Sequence, residues 1–129
     1  MTRGVVIRAA HYPGRAPIES YGNGGFRFAG MSHRGSLLCL PSGIYGWDAP
    51  APDAIDAASL EKVFAEADAI QILLVGTGAD LVPLTAALRE RCRQARIVAE
   101  QMSTGAAVRT FNVLLAEERA VAAALIAVD

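Results

Sequence analysis

The sequence predicts a single α/β domain organised around a mixed β-sheet, and three observations carry that expectation. The first half is a series of short β-prone runs cut by Gly, Pro, Asn and Ser clusters, the pattern of hairpins. The apolar period then changes from strand-like to helical after a proline-stiffened connector, Asp48-Ala49-Pro50-Ala51-Pro52-Asp53. Residues 70–99 read as a buried strand, a helix and a second strand, which in one sheet are parallel with a right-handed crossover.

The β-prone runs are Val5 to Arg8, Ile18 to Tyr21, Phe26 to Phe28, Leu37 to Leu40 and Ile44 to Trp47. Asn23-Gly24 between aromatic strand residues is a strong hairpin cue, because such tight turns need positive φ. Leu60, Val63, Phe64 and Ala67 fall at i, i+3, i+4 and i+7 and predict a short amphipathic helix, capped by Asp56 or Ser59. Ile70 to Val75 is nearly all apolar, as in a strand covered on both faces. After Gly76-Thr77-Gly78 turns the chain, Pro83 is placed to open a helix carrying Leu84, Leu88 and Cys92 on one face. Arg96 to Ala99 is the next strand. From Ser103 or Thr104 the chain is expected to be helical to near its end, bent around Ala116 to Glu118, with the alanine-rich Val121 to Ile126 packed closely on a neighbour. The architecture is thus an early β-meander leading into a βαβ unit flanked by helices, within one domain over residues 1–129.

Composition narrows the function classes. At 129 residues and 53% hydrophobic, one well-filled core suffices. A net charge of −1 supplies no field to hold a nucleic-acid backbone. Cys39 and Cys92 lack CxxC spacing and sit among apolar residues, so both are expected to be reduced core thiols, as in a reducing cytoplasm. No run approaches the ~20 apolar residues of a membrane span, and the Val5-Val6-Ile7 run ends at Arg8, too soon for a signal peptide. The expected setting is the cytoplasm.

Two groups of residues could bind a ligand. Val75-Gly76-Thr77-Gly78 joins a buried strand to a helix, where glycines let backbone N–H groups approach a phosphate. Glu100, at the end of the next strand, stands about where a dinucleotide fold places its ribose-binding acid. Leu81 replaces the third glycine of that motif and Asp80 adds charge of the wrong sign, so a plain tight turn is the competing reading. The second group is Glu100, Met102, Ser103 and Thr104, then Arg109, Thr110 and Asn112 along the next helix. With Thr77 these could form a polar pocket at the carboxyl ends of the parallel strands, where open α/β sheets bind ligands. Alternatively Arg109 pairs with Glu100 and fixes the helix on the sheet. Tyr45 and Trp47 are candidate aromatic anchors for a partner, with sheet packing as the alternative. His11 and His33 have no second ligand at metal spacing, and Ser42 has no nucleophile elbow, so neither a metal, a cofactor nor a catalytic residue is assigned.

Several ordered blocks resemble a known family. They are Tyr21-Gly22-Asn23-Gly24-Gly25-Phe26-Arg27-Phe28, His33-Arg34-Gly35-Ser36, Leu40-Pro41-Ser42-Gly43, Trp47 and Leu74-Val75-Gly76-Thr77-Gly78. Most specific is the run from Glu100-Gln101-Met102-Ser103-Thr104 through Arg109-Thr110-Phe111-Asn112-Val113-Leu114-Leu115. Over residues 17–127 the chain is similar to the small domain of mitochondrial complex I assembly factor 3 and its bacterial and archaeal relatives. The resemblance implies a three-layer fold: a central mixed sheet of about five strands, helices on one face and additional β-structure from the N-terminal half. For the mitochondrial relatives it also implies help in assembling the respiratory NADH dehydrogenase complex beside a second assembly factor, while the bacterial relatives are largely of unknown function.

The functional expectation is a non-enzymatic helper that binds another polypeptide, a respiratory-complex subunit or assembly factor, and a second copy of itself. Its expected contact surface is the aromatic, glycine-rich first half. The alternative is a small-anion or nucleotide-like binder, with oxidoreductase chemistry in view, using Gly76, Thr77, Gly78, Glu100, Ser103, Thr104, Arg109 and Asn112.

Overall fold

The computed structural model describes residues 11–129, so the predicted run Val5 to Arg8 lies outside the described residues. Two sheets form. A five-stranded mixed sheet has the order β5-β4-β8-β6-β7, built from β4 (Ser36–Leu40), β5 (Gly43–Trp47), β6 (Ile72–Gly76), β7 (Val98–Met102) and β8 (Val121–Leu125). A small antiparallel sheet joins β1 (Ile18–Gly22), β2 (Gly25–Phe28) and β3 (Met31–Arg34). In the main sheet β6 pairs parallel with both β7 and β8, and β4 pairs antiparallel with β5 and β8.

Strand alternation divides the core into two layers. Leu38, Leu73, Val75 and Ala124 face α1 (Glu61–Ala65) and α2 (Ala86–Gln94), against Leu60, Val63, Leu88 and Cys92. Leu37, Cys39, Leu74 and Ala123 face α3 (Thr104–Ala116) and the small sheet, against Ala107, Phe111, Phe26 and Phe28. The expected three layers and five-stranded mixed sheet are present, and α3 shares its face with the added β-structure. Cys39 and Cys92 are both free and buried, one in each layer.

The alanine-rich segment is a correction. Expected as helix, Val121–Leu125 is a strand in the middle of the main sheet, with every residue buried. Alanine favours helix locally. Here α3 ends at Ala116 and Glu118 turns at φ 60, so the chain re-enters the sheet between β4 and β6. Small side chains on both faces let the layers approach: a Cβ at Gly76, on neighbouring β6, would meet the Thr104 Cα at 2.9 Å. Other boundaries moved less. Thr85, not Pro83, opens α2, its Oγ1 accepting the Leu88 N–H at 3.2 Å. Asp56 and Ser59 tie the turn before α1 instead of capping the helix directly. The strand β3 had not been expected, because Met31-Ser32-His33-Arg34 shows no apolar alternation.

Candidate functional site

The carboxyl ends of β6 and β7 open onto a cleft of about 700 Å³. Its walls are the turn after β6, the start of α3, the segment after β8, and Tyr21 from the small sheet; Thr77, Gly78, Asp80, Ser103 and Arg109 all line it. β7 and β8 flank β6, and their crossovers use helices on opposite faces of the sheet. The cleft therefore sits where connections diverge, the usual ligand position in open α/β sheets.

Most polar groups of this region are already engaged. The Thr104 hydroxyl is buried; it donates to the Ile126 carbonyl at 2.7 Å and accepts the Gly78 N–H at 3.0 Å. Thr104 N–H in turn donates to the Gly78 carbonyl at 2.8 Å. The Thr77 N–H donates to Met102 O at 2.9 Å, while its hydroxyl donates to Asp80 O at 2.6 Å and accepts the Val82 N–H at 2.9 Å. The N–H groups that a phosphate would need at Thr77 and Gly78 thus bond protein, and α2 starts only at Ala86. The turn is built as a clamp between β6, α3 and the chain after β8. Gly76 is required by close approach and Gly78 by its φ of 104.

The remaining predicted residues separate. Asn112 faces β1, not the cleft: its amide accepts the Ile18 N–H and donates to the Ile18 carbonyl, each at 2.9 Å, fastening the small sheet to α3. Glu100 is exposed on the edge strand β7 and does not line the cleft. The anticipated Glu100–Arg109 ion pair is absent among the described residues. Arg109 is exposed and lines the cleft, near Ser103, whose hydroxyl accepts the Ala106 N–H at 3.3 Å and caps α3. Tyr21 was legible as the end of a β-prone run and as part of the family-like motif, but not as a residue of the cleft. Its hydroxyl lies against Gly105, where a Cβ would collide with it.

Of the two aromatic candidates, Trp47 is a core residue and not an exposed anchor. It is 7% exposed, and its indole N–H donates to Ser59 O at 2.7 Å. Tyr45 is half-buried, with its hydroxyl 2.6 Å from Ser42 Oγ and Lys62 over its ring. Ser42 also donates to Glu66, so its hydroxyl serves a surface network. His11 and His33, far apart in sequence, are neighbours with ring centroids 4.8 Å apart. No cluster of three metal-binding side chains accompanies them among the described residues.

Fold and cleft together define an α/β domain whose carboxyl-end cleft is walled by structural hydrogen bonds, with Arg109 the cation among the described residues that line it. The chain belongs to the family described as protein of unknown function DUF498/DUF598, whose model matches residues 18–126. It is 39% identical to an uncharacterised protein of Rhodobacter capsulatus, over 92% of this chain and 90% of that one. It is also 35% identical to NADH dehydrogenase [ubiquinone] 1 alpha subcomplex assembly factor 3 of Danio rerio, over 84% of this chain. The match spans 63% of that assembly factor's length. Among solved structures, one titled as an outer membrane protein from Bartonella henselae superposes with a TM-score of 0.90 at 59% identity, covering 92% of this chain and all of that one. No helix among the described residues is long and apolar enough to cross a membrane.

Proposed function

We propose that this protein is a non-enzymatic, polypeptide-binding helper in assembly of the respiratory NADH dehydrogenase complex, working in the cytoplasm. The observation that carries the reading is the likeness to assembly factor 3, which runs through 84% of the chain. The geometry agrees with it. The hydroxyls of Thr77 and Thr104, two of the ligand-binding candidates, each hold backbone, and that of Ser42 holds a neighbouring side chain.

Affinity capture of the tagged protein from its own cell lysate, with mass spectrometry of polypeptides and small molecules, tests this. Reproducible recovery of NADH dehydrogenase subunits or another assembly factor is the expected result. Recovery of a stoichiometric small anion without any polypeptide would overturn it. Fractionation of the same cells checks the compartment.

A second reading has one observation in its favour. Arg109 lines an open cleft beside Gly78 without a carboxylate partner among the described residues, the arrangement in which a small anion would be held. Arg109→Ala separates the two readings. A folded variant that no longer retains a co-purifying anion favours the anion site, and unchanged polypeptide capture by that variant favours the helper.

A further inference from the structure

We propose that the outer face of the small antiparallel sheet docks an acidic, extended polypeptide segment through Arg27 and Arg34. The inference rests on the polypeptide-binding reading and gives the partner a chemistry. Phe26 and Phe28 of β2 point into the core, so Arg27 between them points outward. Strand register sets Ser20, Arg27 and Ser32 opposite one another in one row, and Gly22, Gly25 and Arg34 in the row two residues along. The two glycines leave the second row without side chains beside Arg34. The result is a groove of about 400 Å³ on this face, with no Asp or Glu among the described residues that line it. Gly25 is obligatory, since a Cβ there would collide with the His33 carbonyl.

Both guanidiniums are exposed, and neither has a carboxylate partner among the described residues. Arg27 donates to Ser32 Oγ at 2.7 Å, which holds it along its row and leaves other N–H donors for a ligand. Glu19, the acid on β1, accepts the Gly30 N–H at 3.0 Å. In a chain of net charge −1 this is a local concentration of cation without its counter-charge. Spacing selects the ligand. Diagonal positions on neighbouring antiparallel strands lie about 7–8 Å apart. Alternate residues of an extended chain lie about 6.6–6.8 Å apart and project to one side. Carboxylates at i and i+2 of an extended segment therefore match the spacing of Arg27 and Arg34 along the sheet.

The test is a titration by fluorescence anisotropy with a labelled octapeptide of alternating glutamate and serine. Alternating glutamine and serine is the neutral control, and inorganic pyrophosphate is the competitor. Wild type is expected to bind the acidic peptide and not the neutral one. Arg27→Ser with Arg34→Ser is expected to weaken binding about tenfold, since each exposed pair contributes only a few-fold. Arg93→Ser with Arg96→Ser, the same charge change on α2 and the turn after it, should leave binding unchanged. Equal loss in both double variants, absence of acidic-peptide binding by wild type, or tighter binding of pyrophosphate than of peptide would each overturn the inference. Lysate capture with the Arg27, Arg34 variant separates this inference from the reading it rests on. If wild type and variant recover the same respiratory subunits, this surface is wrong and the helper role stands; if wild type recovers none, the helper role fails while the titration still decides the surface.

Discussion

Single hydroxyl groups hold the end of β8 in place. Thr104 fastens the Ile126 carbonyl, and Ser36 does the same on the other side, accepting the Ala127 N–H at 3.0 Å while donating to the Ala49 carbonyl at 2.7 Å. Thr104→Val keeps the shape and removes the hydroxyl, leaving the Gly78 N–H and Ile126 carbonyl buried and unpaired. The expected loss is about 2–4 kcal/mol, read from the urea midpoint at unchanged slope. Cys39 supplies an independent check at the same scale. Burial pushes its thiol up to about 12, so it carries almost no thiolate near neutral pH. Burial also raises Cys92, with Arg91 opposing. Neither should react with a thiol reagent at pH 8 until denaturant is added; prompt labelling of the folded protein would show that one of the two layers opens. Both thiols were legible from apolar sequence context alone. Thr104 was legible as a polar residue at a helix start, but its partners lie at Gly78 and Ile126, and no local pattern names them.

Between elements, the decisive contact is the small sheet on α3. The Asn112 amide pairs with both backbone groups of Ile18 as another strand would, and Phe26 and Phe28 fill the layer beside it with Ala107 and Phe111. Asn112→Leu retains apolar packing but strips Ile18 of its donor and acceptor. The expected result is a loss of about 1–3 kcal/mol, together with faster amide exchange at Ile18 than at residues of β6. Uniform acceleration across β1 and β6 would mean that the small sheet is not a separable unit. The periodic segments were readable here: β4, β5, β6 and α2 stand close to where apolar spacing and turn residues put them. The two misreadings have physical causes. β8 is alanine-rich, so its helix propensity points the wrong way and only its place between two strands decides its conformation. β3 is an edge strand with polar residues, held by pairing to β2 and without an apolar stripe of its own.

At the scale of the whole molecule, the two sheets also meet at a pair of histidines. His33 comes from β3 of the small sheet, His11 precedes the Tyr12 bridge to Ile44 of β5, and a Cβ at Gly46 would meet both rings, at 3.1 Å and 3.4 Å. No spacing rule connects residues that only tertiary folding brings together, which is why this contact was not legible in the sequence, whereas Thr77, Gly78, Ser103 and Arg109 of the cleft wall were placed there by their position at the strand ends. Burial lowers the pKa of His33 from its ordinary 6.5, the hydrogen bond with the Ser36 carbonyl works against that, and repulsion from His11 adds to it. The unfolded chain then binds the proton more readily than the folded one. Stability from this group is therefore fully present above about pH 6.5 and falls as the pH drops below it, through the lowered value of the folded state. The urea midpoint should decrease between pH 7.5 and pH 5.5, and His33→Gln, which cannot charge, should flatten that part of the profile. A wild-type midpoint that is flat or rises on acidification would mean that protonated His33 is accommodated, and that the sheet-to-sheet contact gives way before the proton binds.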